Sequence, residues 1–449
     1  MLDRPGPLMK PRPWLACALA FTGLLSFAAG AMGAAPEREA PRPNIVLIIS
    51  DDHAWTDYGF MGHPIVKTPH LDRLAREGLA FSRGYVPASL CCPSLASIIT
   101  GRYPHQHKIT CNDPPKPETM TAQEFRQSPA FTEGRDIMNR HLEAAPTLPR
   151  RLRELGYLTL QTGKWWQGHY RTGGFTHGMT QGQRHGDEGL EIGRKTMQPI
   201  YDFIATAQAE KRPFFVWYAP MMPHEPHTPP ERLFAKYTNI TNSVGVARYW
   251  AMIEWFDETV GALLDHLDQR DLARNTIFLY LADNGWIQRP DAPGYAPKSK
   301  QSPYDGGLRT PILLRWPGRV TPGRSEALAT SVDLLPTLWA ALGQPPDPAL
   351  PGINLLDDRM LKARKRVFGE CFTHNAIDLN DPAANLRWRW VIEDHWKLIV
   401  PNPAHEPRAA LELYDLRNDP FEERNLARRE AASVLGLRTQ LDGWWDPAR

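Results

Sequence analysis

Short, continuous apolar runs recur along the chain, each ended by a polar cluster. The first is Asn44-Ile-Val-Leu-Ile-Ile-Ser50, and similar runs occupy Tyr157–Gln161, Phe214–Tyr218, Thr276–Leu281 and Pro311–Arg315. Runs that are apolar at every position and rich in β-branched residues read as strands covered on both faces, as in parallel sheets. Between them lie segments with helical spacing: Leu71–Glu77, Leu148–Leu155 and Tyr249–Gln269. This alternation predicts an α/β domain, a large, mostly parallel sheet flanked by helices. From about Arg364 the pattern changes. Trp388–Ile392 and Lys397–Val400 read as paired antiparallel strands, and Glu430–Leu441 as a closing helix. The expected organisation is therefore an α/β domain over 42–363 and a smaller subdomain with an antiparallel sheet over 364–449. Asn112–Ala145 and Gly173–Lys195 are polar and weakly patterned, and read as insertions over the sheet edge.

The amino terminus has its own logic. Lys10 and Arg12 precede an apolar run from Trp14 to Ala31, and Gly33, Ala34 and Ala35 follow. Basic, apolar and then small residues are the layout of a cleavable export signal, here placed at 1–35. No later run is apolar enough to span a bilayer, so the expectation is an exported protein with no membrane span once the leader is removed. Net charge is +2, which gives no field that would favour nucleic acid. The 43 prolines suit a loop-rich protein better than a helical bundle. Beyond the leader the cysteines are Cys91, Cys92, Cys111 and Cys371, too few for a disulfide framework.

Reactive side chains cluster where the apolar runs end. The first run ends in Asp51-Asp52, the second leads to Gly163-Lys164, the third to Pro223-His224 and the fourth to Asp283-Asn284-Gly285. Open α/β sheets bind ligands at the carboxyl ends of their strands. A single Asp-Asp pair is more often a cap or a solvated turn. Several strand ends sharing the pattern place carboxylates and an amide on one rim, a set of oxygens suited to Ca²⁺ or Mg²⁺.

Cys91-Cys92-Pro93-Ser94 runs directly into Leu95-Ala-Ser-Ile-Ile-Thr100-Gly101. Pro93 fits a first helical position and Gly101 a helix end. Cys91 would then sit at a helix amino terminus, where the partial positive charge lowers a thiol's pKa. The plainer alternative is a small buried apolar residue.

These residues resemble a family. Cys91-Cys-Pro-Ser94 with Thr100-Gly101-Arg102 is similar to the signature of the formylglycine-dependent sulfatases of the alkaline-phosphatase-like superfamily. The resemblance extends through Ile48-Ile-Ser-Asp51-Asp52, Thr162-Gly-Lys164-Trp165, Asp283-Asn284-Gly285 and Tyr304-Asp-Gly-Gly307 to Leu413-Tyr-Asp-Leu416 near the carboxyl end. It implies that Asp51, Asp52, Asp283 and Asn284 ligate one calcium ion, and that Cys91 becomes a formylglycine whose hydrate also touches the metal. Lys164, His224 and Lys300 would then grip sulfate or assist the leaving group. The implied partners are a small-molecule or glycan sulfate ester and, during maturation, a formylglycine-generating enzyme. His227 stands near His224, and Lys298 near Lys300, as competing assignments.

Two positions depart from the family pattern. Leu95 stands where the family has arginine, and Trp166 where it has histidine. Leucine offers no donor, and an indole cannot shuttle a proton. Three readings follow: a sulfatase whose lost contacts come from His169, Arg171 or His177; a phosphoester or phosphodiester hydrolase of the same fold; or a non-catalytic binder in which Cys91 stays a thiol.

Overall fold

The structure is a computed structural model that describes residues 41–448. The expected export signal at 1–35 lies outside the described residues. Four strands form the centre of the main sheet: β1 (Asn44–Ser50), β2 (Leu158–Gly163), β3 (Phe214–Ala219) and β4 (Thr276–Ala282). They are parallel neighbours in the order β2-β3-β1-β4. All four are buried from end to end, as the unbroken apolar runs predicted.

Period-two alternation sends their side chains into two cores. Ile45, Leu47 and Ile49 join Phe215, Trp217, Leu279 and Leu281 on one face. Val46 and Ile48 join Val216, Tyr218, Phe278 and Tyr280 on the other. Helix α1 (Cys91–Thr100) covers the first face, and helix α2 (Val244–Asp268) covers the second through Met252, Phe256, Val260 and Leu264. Truncating a fully buried residue of this sheet, such as Ile48→Ala, costs about 2–5 kcal/mol.

Short strands extend the sheet at both edges. His177–Gly178 pairs parallel with β2. On the other side Ile312–Arg315 pairs antiparallel with β4, and Leu79–Phe81 pairs antiparallel with Ile312–Arg315. The sheet is therefore mixed at this edge, because no long crossover helix separates β4 from Ile312; among the described residues only the one-turn helix Asp305–Leu308 intervenes.

Arg366–Phe372, Leu386–Glu393, Trp396–Pro401 and Glu412–Asp415 form a separate antiparallel sheet, closed by the helix Ala431–Trp444. It is joined to the main body by a shared apolar cluster of Tyr85, Leu308, Val367 and Trp390, and by buried Lys397, which pairs with Asp305 and Glu422 at 2.8 and 2.7 Å. Residues 112–145 are more ordered than their polarity predicted. They contain a helix, Pro129–Ala144, capped by the Ser128 hydroxyl. Its buried stripe is Phe131, Gly134, Arg135, Met138 and Leu142, and a glycine and an arginine in that stripe hide the periodicity.

Candidate active site

The carboxyl ends of the four parallel strands converge. β1 runs directly into Asp51-Asp52. A bridge between Asp51 and Pro223, with the Asp51 N–H donating to Met222 O at 2.9 Å, brings His224 alongside. Asp283 follows β4, its N–H held by Ser50 O at 2.9 Å. Gly163, at φ 75°, turns β2 so that Lys164 points across the rim. A Cβ there would sit 1.9 Å from Ala219 O, so only glycine fits. Lys300 lies on a loop tied to the start of α1 by the Gln301 N–H donating to Ser89 O.

The side chains form one buried network. Lys164 Nζ reaches both oxygens of Asp51 at 2.6 Å and lies 3.8 Å from Asp283. Lys300 Nζ reaches both oxygens of Asp52 at 2.7 and 2.8 Å. Asn284 Nδ2 donates to Asp52 Oδ1 at 2.6 Å, and the Asp52 N–H donates to Asp283 Oδ1 at 3.1 Å. His224 Nε2 is 3.4 Å from Asp52 Oδ2. Donor atoms of Asp51, Asp52, Cys91 and His224 all lie within 4.8 Å of one another. His224 is thus the histidine that faces the acids, whereas His227 sits against Tyr249 and Trp286. Lys298 turns away, its ammonium bonded to Glu422 O over the ring of Tyr304.

Three carboxylates face two ammonium groups, which leaves one excess negative charge in a site where every one of these groups is buried. Burial, then Asp51, pushes the Asp283 carboxyl well above the ordinary range. Burial also acts on Asp52, but the Lys300 ammonium against it outweighs burial and holds that carboxyl low. Burial pulls Lys164 down, but the Asp51 carboxylate against it outweighs burial and keeps the ammonium. Burial, then Lys164, keeps the His224 ring neutral. Asp283 Oδ2 and Asn284 Oδ1 have no hydrogen-bond partner, and Asp51 Oδ2 has only the off-axis approach of Lys164. Buried oxygens without donors, beside a carboxyl that is costly to ionise unless a cation joins it, fit a hard divalent cation.

Cys91 is the first residue of α1, with Leu90 as the cap, and Pro93 is its third residue, where the missing N–H still breaks no helical bond. Gly101 ends the helix at φ 64°. The expectation of a lowered thiol pKa is corrected: burial pushes the Cys91 thiol up, against the opposing pull of Lys164 and Lys300. Desolvation outweighs the helix end here, so the thiol itself is a poor nucleophile.

The substituted positions are also explained by packing. Leu95 is buried in the core under α1. Trp166 is buried, with Arg184 over its ring at 4.6 Å and the His185 ring against it at 4.4 Å. Of the residues expected to compensate, His169 caps a turn through the Arg171 N–H, the Arg171 guanidinium lies over the Tyr170 ring, and His177 rests on Phe203. Arg184 and His185 were not singled out by sequence, because their loop has no periodicity that would aim them at the site. His224 also borders a cavity of about 880 Å³ lined by Glu225, His227, Arg248, Gln288 and Asp291.

Fold and rim together define an open α/β protein with an acidic, lysine-bridged pocket beside a helix-start cysteine. Residues 43–344 match the family described as Sulfatase, and residues 298–442 match the one described as N-sulphoglucosamine sulphohydrolase, C-terminal. The chain belongs to the sulfatase family, the formylglycine-dependent hydrolases of the alkaline-phosphatase-like superfamily. It is 31% identical to arylsulfatase A of Homo sapiens, covering 74% of this chain and 69% of that one. It is 30% identical to N-acetylgalactosamine-6-sulfatase of Canis lupus familiaris, covering 76% and 70%. The fold matches, with a TM-score of 0.71 at 18% identity over 90% of this chain and 98% of the other, a protein solved with its substrate D-glucosamine-2-N,6-O-disulfate. No helix among the described residues is long and apolar enough to cross a membrane.

Proposed function

We propose that this enzyme hydrolyses a sulfate ester of a glycan, using a formylglycine formed from Cys91 and a calcium ion held by Asp51, Asp52, Asp283, Asn284 and residue 91. The observation that supports this most is the set of unpartnered buried oxygens on Asp283 and Asn284, next to Asp51 and within the same network as Cys91. Relatives named for N-acetylgalactosamine 6-sulfate and a neighbour solved with a glucosamine sulfate support the glycan reading. The cavity beside His224 has the size of a small-molecule site.

Calcium would supply positive charge to the sulfuryl oxygens, and the hydrated aldehyde would supply the attacking hydroxyl. The remaining work falls to the chain's own side chains. Lys164 and Lys300, kept charged by their aspartates, clamp the equatorial oxygens on which charge develops. His224, neutral and with Nε2 directed into the site, holds or moves a proton at the ester oxygen. Residues 42–363 form the catalytic part in this reading and 364–449 buttress it. The protein is exported, and a formylglycine-generating enzyme acts on Cys91 before it matures.

Paired assays with aryl sulfate and aryl phosphate esters, with and without calcium, test this. Calcium-dependent sulfate release is expected. Preference for phosphate would move the enzyme to the phosphoester reading. Binding of sulfated glycans without turnover of either ester would make it a binding protein, the outcome that buried Leu95 and Trp166 favour.

A further inference from the structure

We propose that His185 is a further substrate-contacting residue, its Nδ1–H donating to a sulfuryl oxygen of the ester, with Arg184 and Asp113 as positioning residues. This rests on the sulfatase reading above and deepens it: the histidine absent at position 166 is replaced by one from a different segment.

The local backbone is built to present this ring. His185 adopts φ 72°, Gly186 φ 126° and Asp187 φ 48°, three consecutive left-handed residues. Such backbone persists only where its surroundings over-determine it. Here the Trp165 N–H donates to His185 O at 2.9 Å, which ties the turn to the residue after Lys164. Asp187 Oδ2 accepts the N–H groups of Gln181, Gly182 and Gln183 from the other side. The ring stands edge-on to Trp166 at 4.4 Å and lies 6.2 Å from the His224 ring, beside the rim.

Its tautomer follows from its partner. Arg184 Nη1 lies 2.5 Å from His185 Nε2, and a guanidinium has donors only. Nε2 is therefore the acceptor and the proton resides on Nδ1. Arg184 is fixed in turn: Nε and Nη2 fork onto the two oxygens of Asp113, each at 2.9 Å, and the guanidinium lies on the Trp166 face. Burial, then Lys164, Arg184 and Lys300, hold the imidazole neutral. A neutral ring that donates one N–H towards an anion site is a hydrogen-bond clamp, not a proton donor. Asp113, Arg184 and Trp166 set its aim.

The test uses the full chain carrying the matured residue 91, with two readouts: aryl sulfate turnover, and calorimetric binding of inorganic sulfate in calcium. Removing one well-placed donor lowers kcat by about 10²–10³-fold in acyl-transfer enzymes, and a loss of that order is expected for H185A. H185Q, which keeps an N–H donor, should recover part of it, and R184K, which cannot fork, should lower kcat while Tm stays near wild type. Sulfate affinity should fall in H185A alongside. H169A and H177A, whose rings meet the Arg171 N–H and Phe203, should match wild type. The proposal is overturned if folded H185A turns over and binds sulfate as wild type does, or if H185Q is no better than H185A in both readouts. Wild-type protein that binds sulfate through His185 yet releases none from esters would sink the sulfatase reading while leaving this clamp in place.

Discussion

Asp283→Asn separates a metal ligand from a structural carboxylate, because the two roles predict opposite effects on stability. In the metal-free protein Asp283 is a burden: it is 1% exposed, its Oδ2 has no donor, and burial with Asp51 pushes its carboxyl well above the ordinary range. The amide keeps the shape and removes the group that is costly to ionise there, so in a chelator the variant should melt at or above the wild-type temperature. Calcium should reverse the order. A ligand at about a hundred times its Kd stabilises by roughly 2.7 kcal/mol. For the roughly 400 described residues the unfolding entropy is about 0.9 kcal/mol/K, so the wild type should gain about 3 °C. The variant, short of one anionic oxygen, should gain less than about 1 °C at the same calcium concentration and lose turnover. Thermal melts across a calcium titration measure both numbers. A variant that melts below wild type in chelator, or that keeps the full calcium shift, would refute the ligand assignment.

Four further outcomes follow from the same structure. Lys300→Met should abolish ester turnover while Lys298→Met leaves it near wild type, since only Lys300 reaches Asp52; parallel assays of the two variants decide this. Lys397→Met strands Asp305 and Glu422 in the core and should lower unfolding free energy by about 3–5 kcal/mol in urea melts. Restoring the family arginine through Leu95→Arg should destabilise the fold instead of improving activity, because the side chain is 2% exposed among Ile98, Ile99 and Leu335; soluble yield and Tm read this. Asp257 and Glu422 are both pushed to about 7, chiefly by burial, from ordinary values of 3.8 and 4.5. Their folded forms hold the proton more tightly, so their contribution is complete below the ordinary values and is lost as pH rises towards 7. Urea midpoints should fall across that window, and Asp257→Asn should flatten the slope.

The parallel core was legible because its strands are apolar at every position, which leaves little choice but a sheet buried on both faces. The rim was legible for the same reason: with β1 to β4 fixed, the residues just beyond them must meet. Asp51, Asp52, Lys164, His224, Asp283 and Asn284 do meet, and Lys300 was reached only through the family resemblance. What could not be read depends on contacts between segments distant in sequence. Nothing local announces that Arg184 forks onto Asp113 or that His185 stands over Trp166. The helix Pro129–Ala144 was missed because its buried stripe includes Arg135, which is partnered by Asn112 O. The raised Cys91 thiol reverses a helix-end argument, since burial is not visible from the first turn of a helix alone.

The central claim is that residue 91 acts as an aldehyde hydrate beside a divalent cation. Mass spectrometry of the tryptic peptide Gly84–Arg102, from catalytically active protein made in its native host, tests it directly. The account predicts that the Cys91 thiol has been exchanged for an aldehyde while Cys92 remains alkylatable. An intact thiol at Cys91 in protein that still cleaves sulfate esters would contradict it.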